Sequence, residues 1–155
     1  MTFRIRGLDP APFRRLFGLS DAELAGHAAR RVVADASPGY PDRVELRDAE
    51  PGETLLLVNH VHQPAPGPYR ASHAVFVLEG AKRAAEFVDH VPEPLRVRPI
   101  SLRAFDRGHD MVDADLLDGT ALTHAIGRML ARPEVAYLHA HYAKRGCFAA
   151  SIERP

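Results

Sequence analysis

Alternation of apolar and polar residues with a period of two, in short segments broken by proline and glycine, restricts this chain to a sheet-rich fold. Segments 54–62, 72–78, 95–105, 135–142 and 147–152 carry that pattern. Segment 44–47 adds a short strand, joined to 54–62 by Asp48-Ala49-Glu50-Pro51-Gly52-Glu53. Ala143-Lys144-Arg145-Gly146 turns the last two segments into a hairpin. Pro99, inside 95–105, marks an edge strand or a bulge. Between 62 and 72, the stretch 63–68 holds three prolines and a glycine and reads as a stiff connector.

Helical signals flank the strands. Asp9-Pro10 opens a short helix that Gly18 ends. Ser20 and Glu23 form a capping box before a helix reaching Ala34, with Leu24, Ala28 and Val32 as its apolar stripe. His27, close to that stripe, reads as a packing histidine. Residues 79–87 hold a helical turn or two. Asp118 caps a late helix whose Leu122, Ala125, Ile126, Met129 and Leu130 keep a 3.6-residue period until Pro133 stops it. This order predicts one domain over 1–155 of the α+β class: a mostly antiparallel sheet of about six strands, with two N-terminal helices and one late helix packed on it.

Composition excludes several function classes. Twenty basic and 20 acidic residues leave a formal net charge of zero. A general nucleic-acid or membrane-surface binder needs a basic excess, so neither partner is expected. One cysteine forbids an internal disulfide and points to a reducing compartment, hence the cytoplasm. No signal-peptide pattern is present, and the longest apolar run, 74–78, is too short to span a bilayer.

Chemistry concentrates on the strands. His60-Val61-His62 and His139-Ala140-His141 are two His-x-His pairs, and residues two apart on a strand project from one face. Tyr137, His139 and His141 share a face, as do His60 and His62 with Leu56 and Val58, and His73 with Val75 and Val77. Ser101 and Arg103 oppose Ile100 and Leu102. With neighbouring strands in register, His60, His62, His73, Arg103, His139 and His141 line one concave surface.

Three chemistries fit these residue types. The first is an anion pocket, in which Tyr69, Arg70, Ser101 and Arg103 join His60, His62 and His73 in holding a small acidic molecule; a guanidinium matches carboxylate or phosphate with two parallel bonds. Arg70 paired with Asp106 is the structural alternative. The second is thiol or acid–base catalysis by Cys147 with His139 and His141, against which stands a buried core cysteine. The third is a transition-metal site of the hydrolase or oxygenase kind, ligated by His60, His62, His139 and His141. Histidines that merely satisfy backbone groups in a non-catalytic interaction domain are the competing account. The acidic run Asp110, Asp113, Asp115, Asp118 fails the calcium-loop spacing and reads as capping plus a solvated face. No phosphate-cradling glycine motif occurs.

Four blocks together resemble a known family. They are Pro38-Gly39-Tyr40-Pro41, His62-Gln63-Pro64 with Pro68-Tyr69-Arg70-Ala71-Ser72-His73-Ala74, Ser101-Leu102-Arg103-Ala104-Phe105-Asp106, and His139-Ala140-His141 with Gly146-Cys147-Phe148-Ala149-Ala150. The pattern is similar to the bacterial family called domain of unknown function 1203 and covers nearly the whole chain. The resemblance implies a bacterial, cytoplasmic, stand-alone domain and no particular activity. That family commonly has a cysteine after Pro-Gly-Tyr-Pro, where this chain has Asp42, so the resemblance implies no dithiol site here.

Overall fold

The computed structural model describes residues 2–155. Nine strands form two antiparallel sheets: β1 (Arg4–Arg6), β2 (Ala29–Val33), β3 (Thr54–Gln63), β4 (Ala71–Leu78), β5 (Glu86–Val88), β6 (Pro99–Phe105), β7 (Met111–Asp118), β8 (Tyr137–Tyr142) and β9 (Cys147–Glu153). Six of them make one sheet in the order β5-β1-β9-β8-β6-β7, and β2-β3-β4 make the other. Helices are few: a 3-10 helix over Ala11–Leu16, α1 (Asp21–Ala25), α2 (Glu93–Arg96), and α3 (Leu122–Leu130) preceded by a 3-10 turn. The α+β class expected from the sequence holds, with two sheets in place of one.

Each face of the large sheet has its own cover. Ile100, Leu102, Ala104, Leu138 and Ala140 point to one side and pack on Leu122, Ile126 and Met129 of α3. Every apolar position of the predicted late helix is buried as its 3.6-residue period requires. A second apolar cluster joins Leu56, Val58, Val75 and Val77 of the small sheet to Phe13 and Leu16 of the first 3-10 helix and to Leu24 of α1. Phe148 of β9 belongs to this second cluster, so it ties the large sheet to the small one.

Several elements differ from the sequence expectation. The helix expected to reach Ala34 stops at Ala25. The Ser20–Glu23 capping box forms, but Gly26 is the C-cap and Ala28 turns left-handed at φ 53°. Residues 29–33 then become β2, because the β-branched Val32 and Val33 gain a full antiparallel ladder against Leu55 and Thr54. Segment 44–47 forms no strand, and 79–87 contains a turn followed by β5. The segment 95–105 splits into α2 and β6. Pro99 is the first residue of β6, and β6 is interior, between β8 and β7, because a proline at a strand start interrupts no ladder bond. Asp113, Asp115 and Asp118 of the acidic run lie on β7, an edge strand whose Asp115 pairs with Arg128 of α3 and whose Asp113 pairs with Arg132 just past that helix. Asp118 precedes the last helix without a side-chain capping bond.

Candidate functional site

β8 sets the site. Its alternation sends His139 and His141 to the face opposite the α3 layer, and both are buried. In the neighbouring β6, Arg103 stands opposite His139 and Ser101 opposite His141. On the other flank β9 places Ser151 opposite His139 and, after a register shift, Phe148 opposite His141. The end of β3 crosses this face and delivers His62. The three imidazoles form a triangle with ring centroids 4.8 Å apart for His62–His141 and 6.3 Å for both His62–His139 and His139–His141. The two His-x-His pairs meet across the two sheets and not along a shared ladder, since β3 belongs to the small sheet and β8 to the large one.

Each ring of the triangle leaves one buried nitrogen without a partner: His62 Nδ1, His139 Nδ1 and His141 Nε2. His141 Nδ1 donates to the Gly146 carbonyl at 2.9 Å, since a carbonyl oxygen can only accept. In the neutral ring that leaves Nε2 as a bare acceptor. Burial holds His62 and His139 down to about 4 and His141 down to about 3, and the positive charge of Arg103 pushes all three the same way. Arg103 itself is half-buried, and burial lowers it from the usual guanidinium value. Its Nε donates to Ser101 Oγ at 3.2 Å. Among the described residues no carboxylate forms an ion pair with it.

The other residues singled out from the sequence fall at varying distances from this centre. His60 lies beside it, wedged edge-on between Phe13 and Phe148 at 6.0 Å from each, and burial lowers its pKa. His73 stands opposite His60 in the ladder, but its ring nitrogens take the carbonyls of Ala74 and Arg145. Tyr69 lies edge-on to Phe105 at 6.3 Å. Arg70 is exposed and closes its own loop by donating to the Pro64 carbonyl, with no bond to Asp106. Cys147 pairs with Tyr142 in the β8–β9 ladder and shares the Tyr142 face, away from His139 and His141. The structure therefore does not bring the thiol and the imidazoles together. Among the described residues no group of three or more His, Cys, Asp or Glu side chains is arranged to hold a metal ion.

Three contributors were not singled out from the sequence as site residues. Phe148 stacks on His62 and touches the edges of His139 and His141. Gln63, 3% exposed, donates to Tyr137 Oη at 2.9 Å and pins the end of β3 to β8. His109 Nδ1 meets the same hydroxyl at 2.8 Å. Gln63, His109 and Tyr137, together with His62, His139 and Ser151, wall a cleft of about 450 Å³. Gln63 was legible only as the residue that follows the first His-x-His pair.

A family model described as "Protein of unknown function (DUF1203)" matches residues 39–154 of the 155. No curated protein and no solved structure matches the chain. Among the described residues no helix is long and apolar enough to cross a membrane.

Proposed function

The chain belongs to the DUF1203 family of proteins of unknown function, and from its own geometry we propose that it binds a small oxyanion at the His62, His139 and His141 triangle, with Arg103 supplying the charge. One observation carries the reading. A half-buried guanidinium has no acidic partner among the described residues and faces rings with unpartnered buried nitrogens. Unpaired buried charge and unpaired buried polar atoms are both costly, and one bound oxyanion that keeps an O–H relieves both.

The sign of the local charge separates this reading from a metal site. Arg103 repels any cation placed among the three rings and attracts an anion. The ligand has a second requirement. His141 Nε2 is an acceptor while the ring is neutral, so an oxyanion that keeps one O–H, such as hydrogen phosphate, fits better than a fully deprotonated one. Arg70, Tyr69 and His73 lie outside this core, and Cys147 takes no part.

Calorimetric titration of inorganic phosphate at pH 7 tests the proposal. Saturable binding is expected, with Arg103→Ala weakening it at least about tenfold, the worth of one charge-assisted bond. Arg70→Ala is expected to leave it unchanged. Equal affinity in Arg103→Ala defeats the reading. Binding of zinc in place of phosphate transfers the triangle to metal chemistry, and binding of neither leaves the histidines a structural role.

A further inference from the structure

A second, larger hollow of about 800 Å³ opens between β4, the segment before β3, residues 97–99 and the β8–β9 turn. It belongs to the face of β8 that carries Tyr142, not the face that carries His141. Tyr40, Phe76 and Tyr142 give it aromatic walls. Its charge is lopsided: Arg43, Arg98, Lys144 and Arg145 line it against Asp35.

Arg98 is already committed. Its two terminal nitrogens grip the Asp48 carboxylate at 2.7 and 3.0 Å. Arg43 has no such partner. It is 1% exposed, and among the described residues no carboxylate forms an ion pair with it. Its three hydrogen bonds go from Nε to the Phe148 carbonyl at 2.8 Å, from Nη1 to the Pro41 carbonyl at 2.6 Å and from Nη2 to Cys147 Sγ at 3.0 Å. A guanidinium has five N–H groups, so one N–H on each terminal nitrogen is unspent. A buried cation with two N–H groups to spare at the wall of an aromatic hollow is half of a carboxylate clamp.

We propose that this hollow binds a flat apolar carboxylate, of the size of a bicyclic aromatic acid. Its carboxylate takes the two free N–H groups of Arg43. Its ring packs on Tyr40 and Phe76, whose own rings lie 5.4 Å apart. Tyr142 is occupied from within, with Arg43 Cζ at 4.9 Å and Arg98 Cζ at 5.2 Å from its ring centroid, and so serves to hold the clamp in place. Lys144 and Arg145, exposed at the rim, draw the anion in. The hollow is of ordinary ligand-site volume. It shares no side chain with the imidazole triangle, so the two proposals stand separately.

The test uses 2-naphthoate and its uncharged counterpart 2-naphthamide, titrated into the full chain at pH 7.5. The acid is expected to bind, and the amide at least tenfold more weakly. Arg43→Lys, which keeps the charge and loses the fork, is expected to weaken the acid at least tenfold and leave the amide unchanged. Arg43 also holds buried carbonyls, so a second variant acts without touching it. Ala74→Trp, at an exposed position of β4 that lines the hollow, fills the space and is expected to abolish binding while the protein melts as the wild type does. Equal affinity for acid and amide overturns the proposal, as does binding that survives Ala74→Trp, or no binding of the acid at millimolar concentration. Loss of acid binding in Arg103→Ala places the acid at the imidazoles and equally overturns it.

Discussion

Phe148 lies flat on His62, with ring planes 7° apart and centroids separated by 5.6 Å. The contact joins β9 of the large sheet to β3 of the small one. It fixes an imidazole near the end of a strand that Gln63 also ties to β8. The same phenyl ring meets His60, His139 and His141 at 6.0, 5.2 and 5.7 Å, so four imidazoles share one apolar neighbour.

Removing that ring is expected to cost stability and site geometry together. Phe148 is 3% exposed, and truncating a buried phenylalanine to alanine costs about 3–5 kcal/mol. Phe148→Leu keeps most of the volume and is expected to cost less than about 1.5 kcal/mol while still weakening phosphate, because His62 loses its stacking partner. Urea unfolding and phosphate titration of both variants check this. A Phe148→Ala protein within 1 kcal/mol of wild type would show that the two sheets do not depend on this ring.

The three depressed imidazoles make folding sensitive to acid. Their folded values, about 4, 4 and 3, lie below the 6.5 of an unperturbed histidine. Above pH 6.5 the rings are neutral in both states and their burial is tolerated. As pH falls below 6.5 the unfolded chain takes up protons that the folded chain refuses, so stability drops, and it goes on dropping until the folded rings titrate near pH 4 and 3. The slope is about 1.4 kcal/mol per pH unit for each ring taking part. Urea midpoints at pH 7, 5.5 and 4.5 measure it. The double variant His139→Asn, His141→Asn is expected to flatten the profile, and a wild-type midpoint that does not move between pH 7 and 4.5 contradicts the assignment.

What was legible in the sequence is what period alone decides. The strand face of Tyr137, His139 and His141, the shared face of Ser101 and Arg103, and the apolar stripe of α3 all follow from spacing of 2 or 3.6. What was not legible depends on partners far away in the chain. The Leu24–Ala28–Val32 spacing mimics a helix running across Gly26 into β2, and only the ladder with β3 makes residues 29–33 a strand. β7 hides behind three aspartates because an edge strand can expose them to Arg128, Arg132 and water. The facing of Cys147 turns on one register shift between Ala140 and His141, which no local pattern announces. Arg43 sits in a segment without regular structure, so its burial had no periodic signature at all.

Anion affinity is expected to depend on pH through the same rings. A bound oxyanion favours the protonated imidazole, so affinity rises as pH falls from 7 toward 5, by at most about tenfold per pH unit for each proton taken up. Sulfate isolates the effect because it does not titrate in this range. At pH 7 phosphate, which brings its own O–H to His141 Nε2, is expected to bind more tightly than sulfate, and the gap is expected to close by pH 5. Sulfate affinity that is level across this range would remove the imidazoles from the binding step.

A single buried carboxylate gathers three backbone N–H groups around the segment that carries Arg43. Asp42 is 0% exposed and accepts backbone N–H groups from Val44 at 3.1 Å, Glu45 at 2.6 Å and Leu78 at 2.7 Å. Burial raises its pKa, and the three donors pull it back. Asp42→Ala leaves three N–H groups without their partner and is expected to cost more than about 2 kcal/mol. Asp42→Asn is expected to cost less, because one oxygen survives to serve Val44 and Leu78 while only the Glu45 N–H is abandoned. The order is read from thermal or urea unfolding of the two variants. Since the Leu78 bond docks this segment on β4, the alanine variant is also expected to lose 2-naphthoate before it loses phosphate. An alanine variant as stable as the asparagine one would mean that water replaces the carboxylate, and that the Arg43 segment is anchored by other contacts.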